Sequence, residues 1–145
     1  MSKLNKYVEY FMMAEFMKAK LEVFQNESGR EGVDFIVKTD NGNTHELYLQ
    51  TINVKETKSV SILKSALGES KDNLWVALVL LMGDIERLYL IPSNQLTKPD
   101  DYIFFDSSQK GALSHFSSWK IKIFTKGIKN VLNEYQLVNQ LENLI

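Results

Sequence analysis

The chain has 145 residues, close to the commonest domain size and long enough to bury one sizeable core. Its 17 basic and 18 acidic residues give a formal net charge of -1, so no whole-molecule field draws it to nucleic acid or an anionic membrane, and any such binding has to be local. The absence of cysteine excludes a disulfide framework and thiolate chemistry, and two histidines, His45 and His115, are too few for a histidine-built metal site.

From Leu4 the apolar residues fall at Tyr7, Val8, Phe11, Ala14, Met17, Leu21 and Phe24. That spacing by threes and fours predicts one long amphipathic helix with Glu9, Lys18, Lys20 and Glu22 on its other face. Glu9, Glu15, Lys18 and Lys20 interrupt the stretch at helical intervals, so it does not read as an export leader. Two glycines between Asn26 and Gly32 break the pattern, and Val33 to Lys38 follows as an alternating strand with Val33, Phe35 and Val37 on one face and Asp34 on the other. Asp40-Asn41-Gly42-Asn43 is a tight-turn signal, because Asn-Gly accepts positive φ, so His45 to Val54 is expected to pair antiparallel with the strand before it.

Thr57 to Leu67 reads as a short helix or irregular connection closed by Gly68. Leu74 to Met82 is continuously apolar, which predicts a mid-sheet strand covered on both faces. This run is also the longest apolar one and falls far short of the roughly 20 residues a spanning helix needs. Gly83-Asp84 turns the chain into a strand from Arg87 to Ile91 ended by Pro92, which cannot donate to a ladder. Tyr102 to Phe105 and Trp119 to Phe124 read as two further short strands, and an apolar stripe from Ile128 to Leu144 predicts a closing helix over about 127–144. The order predicts an α/β (α+β) fold in one domain over residues 1–145: a central mixed sheet flanked by an N-terminal and a C-terminal helix. A cytoplasmic protein with no membrane contact is the matching expectation.

Several of these segments together carry a resemblance. They are the long first helix, Gly-Val-Asp-Phe-Ile-Val ending at Val37, the hairpin, Glu46-Leu-Tyr-Leu-Gln-Thr-Ile52, the apolar strand from Leu74, and Leu-Tyr-Leu-Ile-Pro-Ser ending at Ser93. In order and spacing the chain resembles the PD-(D/E)XK nuclease-like, or restriction-endonuclease-like, family over most of its length. The resemblance implies a divalent metal, Mg²⁺ or Mn²⁺, held by an aspartate of the first strand and a second ligand on the next. It also implies a lysine two residues beyond that ligand and, often, a glutamate from the first helix. Residues two apart on a strand share a face, so ligand and lysine converge on one phosphate, where metal sharpens the nucleophile and cation offsets transition-state charge. On this sequence Asp34 takes the aspartate position, Tyr48 the second-ligand position, Gln50 the lysine position, and Glu15 matches the helix glutamate in kind.

Tyrosine is a poor hard-metal ligand at neutral pH and glutamine brings no charge. Glu46, on the strand face of Tyr48 and Gln50, offers a displaced ligand, while Lys55 with Asn53 would need a bulge to reach the site. Asp34 reads either as a functional carboxylate or as a satisfied structural or edge charge, and Glu15 either as a family ligand or as solvated helix surface. Tyr48 and Gln50 read as pocket lining or as sheet packing. Lys55, Lys58, Lys64 and Lys71 form one lysine group and Lys120, Lys122, Lys126 and Lys129 a second, each either a phosphate-tracking edge or ordinary solvated surface. His45, His115 and the Asp40–Asn43 turn read as incidental to chemistry, and Trp75 and Trp119 as core.

The expectation is a divergent nuclease-like protein with a degenerate site (Asp34, Glu46, Gln50), catalytically inactive and with DNA or RNA as the expected ligand. Two alternatives stand beside it. One is a Mg²⁺ or Mn²⁺ endonuclease whose site has migrated to Glu15, Asp34 and Glu46. The other is an interaction or assembly module with a protein partner.

Overall fold

The computed structural model describes residues 3–27 and 33–145. It is mixed α/β, with a central five-stranded mixed sheet in the order β1-β2-β3-β5-β6. The strands are β1 (Glu22–Gln25), β2 (Phe35–Lys38), β3 (Thr44–Asn53), β5 (Leu74–Met82) and β6 (Ile85–Pro92). β3 and β5 run parallel from Glu46↔Leu74 to Asn53↔Leu81, and the other neighbours are antiparallel. The Asn-Gly turn forms as its residues require: Gly42 has φ 89° and the Thr39 N–H donates to the Asn43 carbonyl at 2.9 Å. The continuous apolar run is the mid-sheet strand β5, buried from Leu74 to Leu81.

The two faces of the sheet are covered differently. Phe35, Val37, Leu47, Trp75, Ala77, Val79 and Leu90 pack against Val8, Met12 and Phe16 of α1 (Lys3–Lys18) and Leu137 and Leu144 of α5 (Leu137–Leu144). The alternate residues Ile52, Val76, Leu78, Leu80, Tyr89 and Ile91 pack against Ile62, Phe104 and Ile121, which belong to a second sheet. That sheet is antiparallel, in the order β4-β8-β7, built from β4 (Ser59–Leu63), β7 (Phe104–Ser107) and β8 (Ser118–Lys122).

Three elements depart from the sequence reading. The first helix stops at Lys18 rather than running on to Phe24. Lys20 takes φ 63°, the Leu21 N–H reaches the Phe16 carbonyl and the Lys20 N–H reaches Met17. This is a left-handed helix stop with lysine where glycine is the usual signal, so the sequence hides it. Leu21 closes the turn and Phe24 lies in β1. The connection after residue 57 is strand β4 followed by the short α2 (Lys64–Leu67), with Gly68 closing it at φ 78°. Val60 and Ile62 alternate with serines there, and it is pairing with β8 that selects the extended form. The closing helix is broken into α4 (Thr125–Asn130), a 3₁₀ turn (Leu132–Tyr135) and α5. Gln136 is extended at the break and makes a β-bridge to Tyr89 of β6. The short α3 (Ser93–Leu96) follows β6, and a 3₁₀ turn (Gly111–Phe116) lies in the loop before β8.

Candidate functional site

Asp34 precedes β2, and its carboxylate Oδ2 accepts the backbone N–H of Leu49 at 2.7 Å, while its own N–H donates to the Leu47 carbonyl at 2.8 Å. The side chain thereby supplies an acceptor to β3 where β2 has ended. It lines a hollow of about 210 Å³ with Val8 and Glu9 of α1, Phe35, Leu49 and Thr51. Burial of the carboxyl raises its pKa, the Leu49 N–H works against that rise, and the charge of Glu9 adds to it. Glu9, with its side chain 13% exposed, is held by Lys6 at 3.7 Å.

The other motif positions do not join this hollow. Leu49 and Thr51 belong to the helix-facing row of β3, whereas Glu46, Tyr48 and Gln50 alternate with them, in the row of the buried Ile52. Tyr48 packs against the inter-sheet core, as a packing tyrosine would. Its phenol is raised by burial and by the charge of Asp34. Gln50 is half-buried in the same row. Glu46 is engaged at the start of the β3–β5 pair, where Lys71 Nζ lies 2.7 Å from its Oε1. Glu15 sits in a separate hollow of about 550 Å³ with Arg87 and Asn133 and pairs with Lys18 at 3.4 Å. Among the described residues no three histidine or acidic side chains converge in a way that could hold a metal, so Glu15, Asp34 and Glu46 are not gathered into one site. The regular alternation assumed for Val33 to Lys38 is what fails: Val33 and Phe35 enter different cores, and the irregular backbone between them turns Asp34 toward α1.

The fold brings part of the two lysine groups together, the segment of Lys58 and Lys64 lying beside the strand of Lys120 and Lys122. β4 pairs with β8, which sets Ser59 opposite Lys122 and Ser61 opposite Lys120, and the Lys58 carbonyl accepts the Ile123 N–H at 2.7 Å. Since Val60, Ile62, Ile121 and Phe104 point into the core, the alternate residues Ser59, Ser61, Lys120, Lys122 and Phe105 form the outer face. Lys122 Nζ stands 4.6 Å from the centre of the Phe105 ring. Lys64, by contrast, is occupied: it binds Asp106 at 2.7 Å and Ser108 at 2.9 Å and lies 4.1 Å from the centre of the Trp119 ring. This convergence was hidden because the segment of β4 read as a short helix or irregular connection and not as a strand.

His45 also has a role the sequence did not signal. It is 7% exposed, its Nδ1 accepts the Trp75 indole N–H at 2.9 Å, and its Nε2 donates to the Leu144 carbonyl at 2.7 Å. It joins β3, β5 and α5 and is a structural residue. No described helix is long and apolar enough to cross a membrane. Comparison with protein-family models, with curated proteins and with solved structures gives no match to this chain.

Proposed function

We propose that this protein is a divergent nuclease-like domain that binds nucleic acid without cutting it. The observation that carries the reading is the dispersal of the motif: Asp34 is turned to α1 and bonded to the Leu49 N–H, Glu46 is paired with Lys71, and the ligand and lysine positions are Tyr48 and Gln50. Hydrolysis by this chemistry needs metal, ligand and cation on one phosphate, and the arrangement supplies none of those convergences. The restriction-endonuclease-like relationship rests on the order of helix, hairpin, apolar strand and return strand, and it is part of the proposal.

Binding falls to the outer face of β4-β8-β7. Lys120 and Lys122 provide cations, Ser59 and Ser61 provide hydroxyl donors, and Phe105 provides an aromatic surface. Such a combination suits a single strand, whose phosphates follow the lysines and whose bases stack. With a near-neutral chain this binding is weak and salt-sensitive.

The test combines Mn²⁺ calorimetry with fluorescence anisotropy on labelled single-stranded DNA and RNA. We expect no Asp34-dependent metal binding, no cleavage, and oligonucleotide binding that falls at least about tenfold in a Lys120→Glu/Lys122→Glu variant. Metal-dependent cleavage abolished by Asp34→Ala would establish the migrated-site enzyme instead. Intact binding in the double variant would remove this face from the reading.

A further inference from the structure

Helix α1 has two apolar faces. One is the inner face of Val8, Met12 and Phe16, all 1% exposed or less. The other faces solvent: Tyr7 is 47%, Tyr10 66% and Met17 68% exposed, and Ala14 between them is exposed as well. Their spacing, three, four and three, is the seam spacing of paired helices, and solvated helix surface is ordinarily polar. Such a contiguous row marks an interaction site.

We propose that this seam is a homodimer interface, in which α1 packs antiparallel against α1 of a second copy about a two-fold axis level with residue 12. The sizes along the seam select this occupant. In that register Tyr10 lies over Ala14 of the second copy and Tyr7 lies beside Met17 of the second copy, so large meets small and ring meets thioether. Phe11 and Met13, half-buried on either flank, meet their own counterparts and continue the apolar contact.

Area and charge agree with a second copy. The seam and its flanks expose on the order of 500 Å² per copy, which suits a weak, reversible dimer and not a permanent one. Two of the flanking lysines are paired on their own helix, Lys6 with Glu9 at 3.7 Å and Lys18 with Glu15 at 3.4 Å, while Lys20 lies exposed just beyond the helix end. A lipid surface would call for a free cationic rim instead. The formal net charge of -1 puts no long-range repulsion between copies.

The experiment is sedimentation velocity over a concentration series on the full chain, with Tyr10→Lys and Met17→Lys variants alongside. We expect a dimer of micromolar affinity that each substitution weakens by about 100-fold, with the melting temperature unchanged when it is read well below the dissociation constant, because both side chains are exposed in the monomer. The cysteine-free sequence permits a second, independent reading. With a short bis-maleimide, Met13→Cys should cross-link to itself, and Tyr7→Cys, about 15 Å from its counterpart in this register, should not. A monomer at every concentration, a dimer that survives both lysine variants, the opposite cross-linking pattern, or binding of the monomer to anionic vesicles would each overturn the proposal.

Discussion

Replacing His45 by alanine tests the link between β3, β5 and the C-terminal helix. The imidazole is a two-ended connector: Nδ1 takes the Trp75 indole N–H and Nε2 gives to the Leu144 carbonyl. Trp75 is 3% and Leu144 1% exposed, so water is a poor substitute for either end. Leaving a buried donor or acceptor unmade costs about 1–3 kcal/mol each, and the vacated ring space adds a cavity cost. The loss for His45→Ala is therefore about 3–5 kcal/mol, a large part of the stability of an ordinary domain. For a chain of this size that corresponds to a fall in Tm of roughly 8–16 °C. Trp75→Phe removes the donor together with part of a buried ring, and the double variant should fall short of the sum, because both changes break one shared bond. Urea unfolding followed by far-ultraviolet circular dichroism gives the free energies, and hydrogen exchange of the amides in α5 reports whether its last turn has been released. His45→Ala within about 1 kcal/mol of the parent, with α5 still protected, would refute the reasoning.

Two titrations follow from the surroundings of Asp34 and Tyr135. The Asp34 carboxyl is raised by burial and by Glu9, so its contribution to stability is fully present when it is protonated and is lost as pH rises through the raised value. Asp34→Asn keeps an acceptor for the Leu49 N–H and removes the repulsion. Thermal melts should therefore show a small gain at pH 7, under about 1 kcal/mol because the partly buried carboxyl belongs to a residue that still meets solvent, that closes at acid pH; a loss at pH 7 would sink the argument. Burial, helped by the charge of Glu134 and by a hydrogen bond to it, pushes the Tyr135 phenol up to about 12. The stability tied to that phenol is present below the ordinary tyrosine range and disappears as pH rises through about 12. Absorbance at the tyrosinate band should show a late alkaline step that is missing in Tyr135→Phe; an unchanged titration would refute it.

Local signals were legible wherever a residue type imposes a backbone. Asn41-Gly42 fixed the hairpin, and the unbroken run from Leu74 marked the central strand. What stayed hidden was decided by partners distant in the chain. Ser59 to Leu63 alternates too weakly to declare itself extended until β8 is beside it. The face read from Tyr7, Val8, Phe11, Ala14 and Met17 includes the buried Val8, but Met12 and Phe16 complete the inner face, and Tyr7, Ala14 and Met17 lie outside. Both faces of α1 carry apolar residues, so apolar spacing alone did not tell the inner row from the outer one, even with Glu9 and Lys18 between them. The candidate site shows the same division. Asp34 stood out as a charge in an apolar strand, but its turn toward Glu9 depends on the irregular backbone before Phe35, which no residue announces.

The placement of β4 has a bearing on how the chain reaches its structure. Every strand of the five-stranded sheet lies within residues 22–92, a span that can pair without anything beyond it. β4 lies inside that span, yet its hydrogen-bonding neighbour β8 begins only at Ser118. Until that distant segment arrives, β4 waits as an unsatisfied edge presenting Val60 and Ile62. Closing such a long loop is the slow kind of step in β-rich proteins. The second sheet is thus expected to form late, and an edge left open until then would favour pairing with a neighbour, which pulsed hydrogen exchange of the β4 and β8 amides would test.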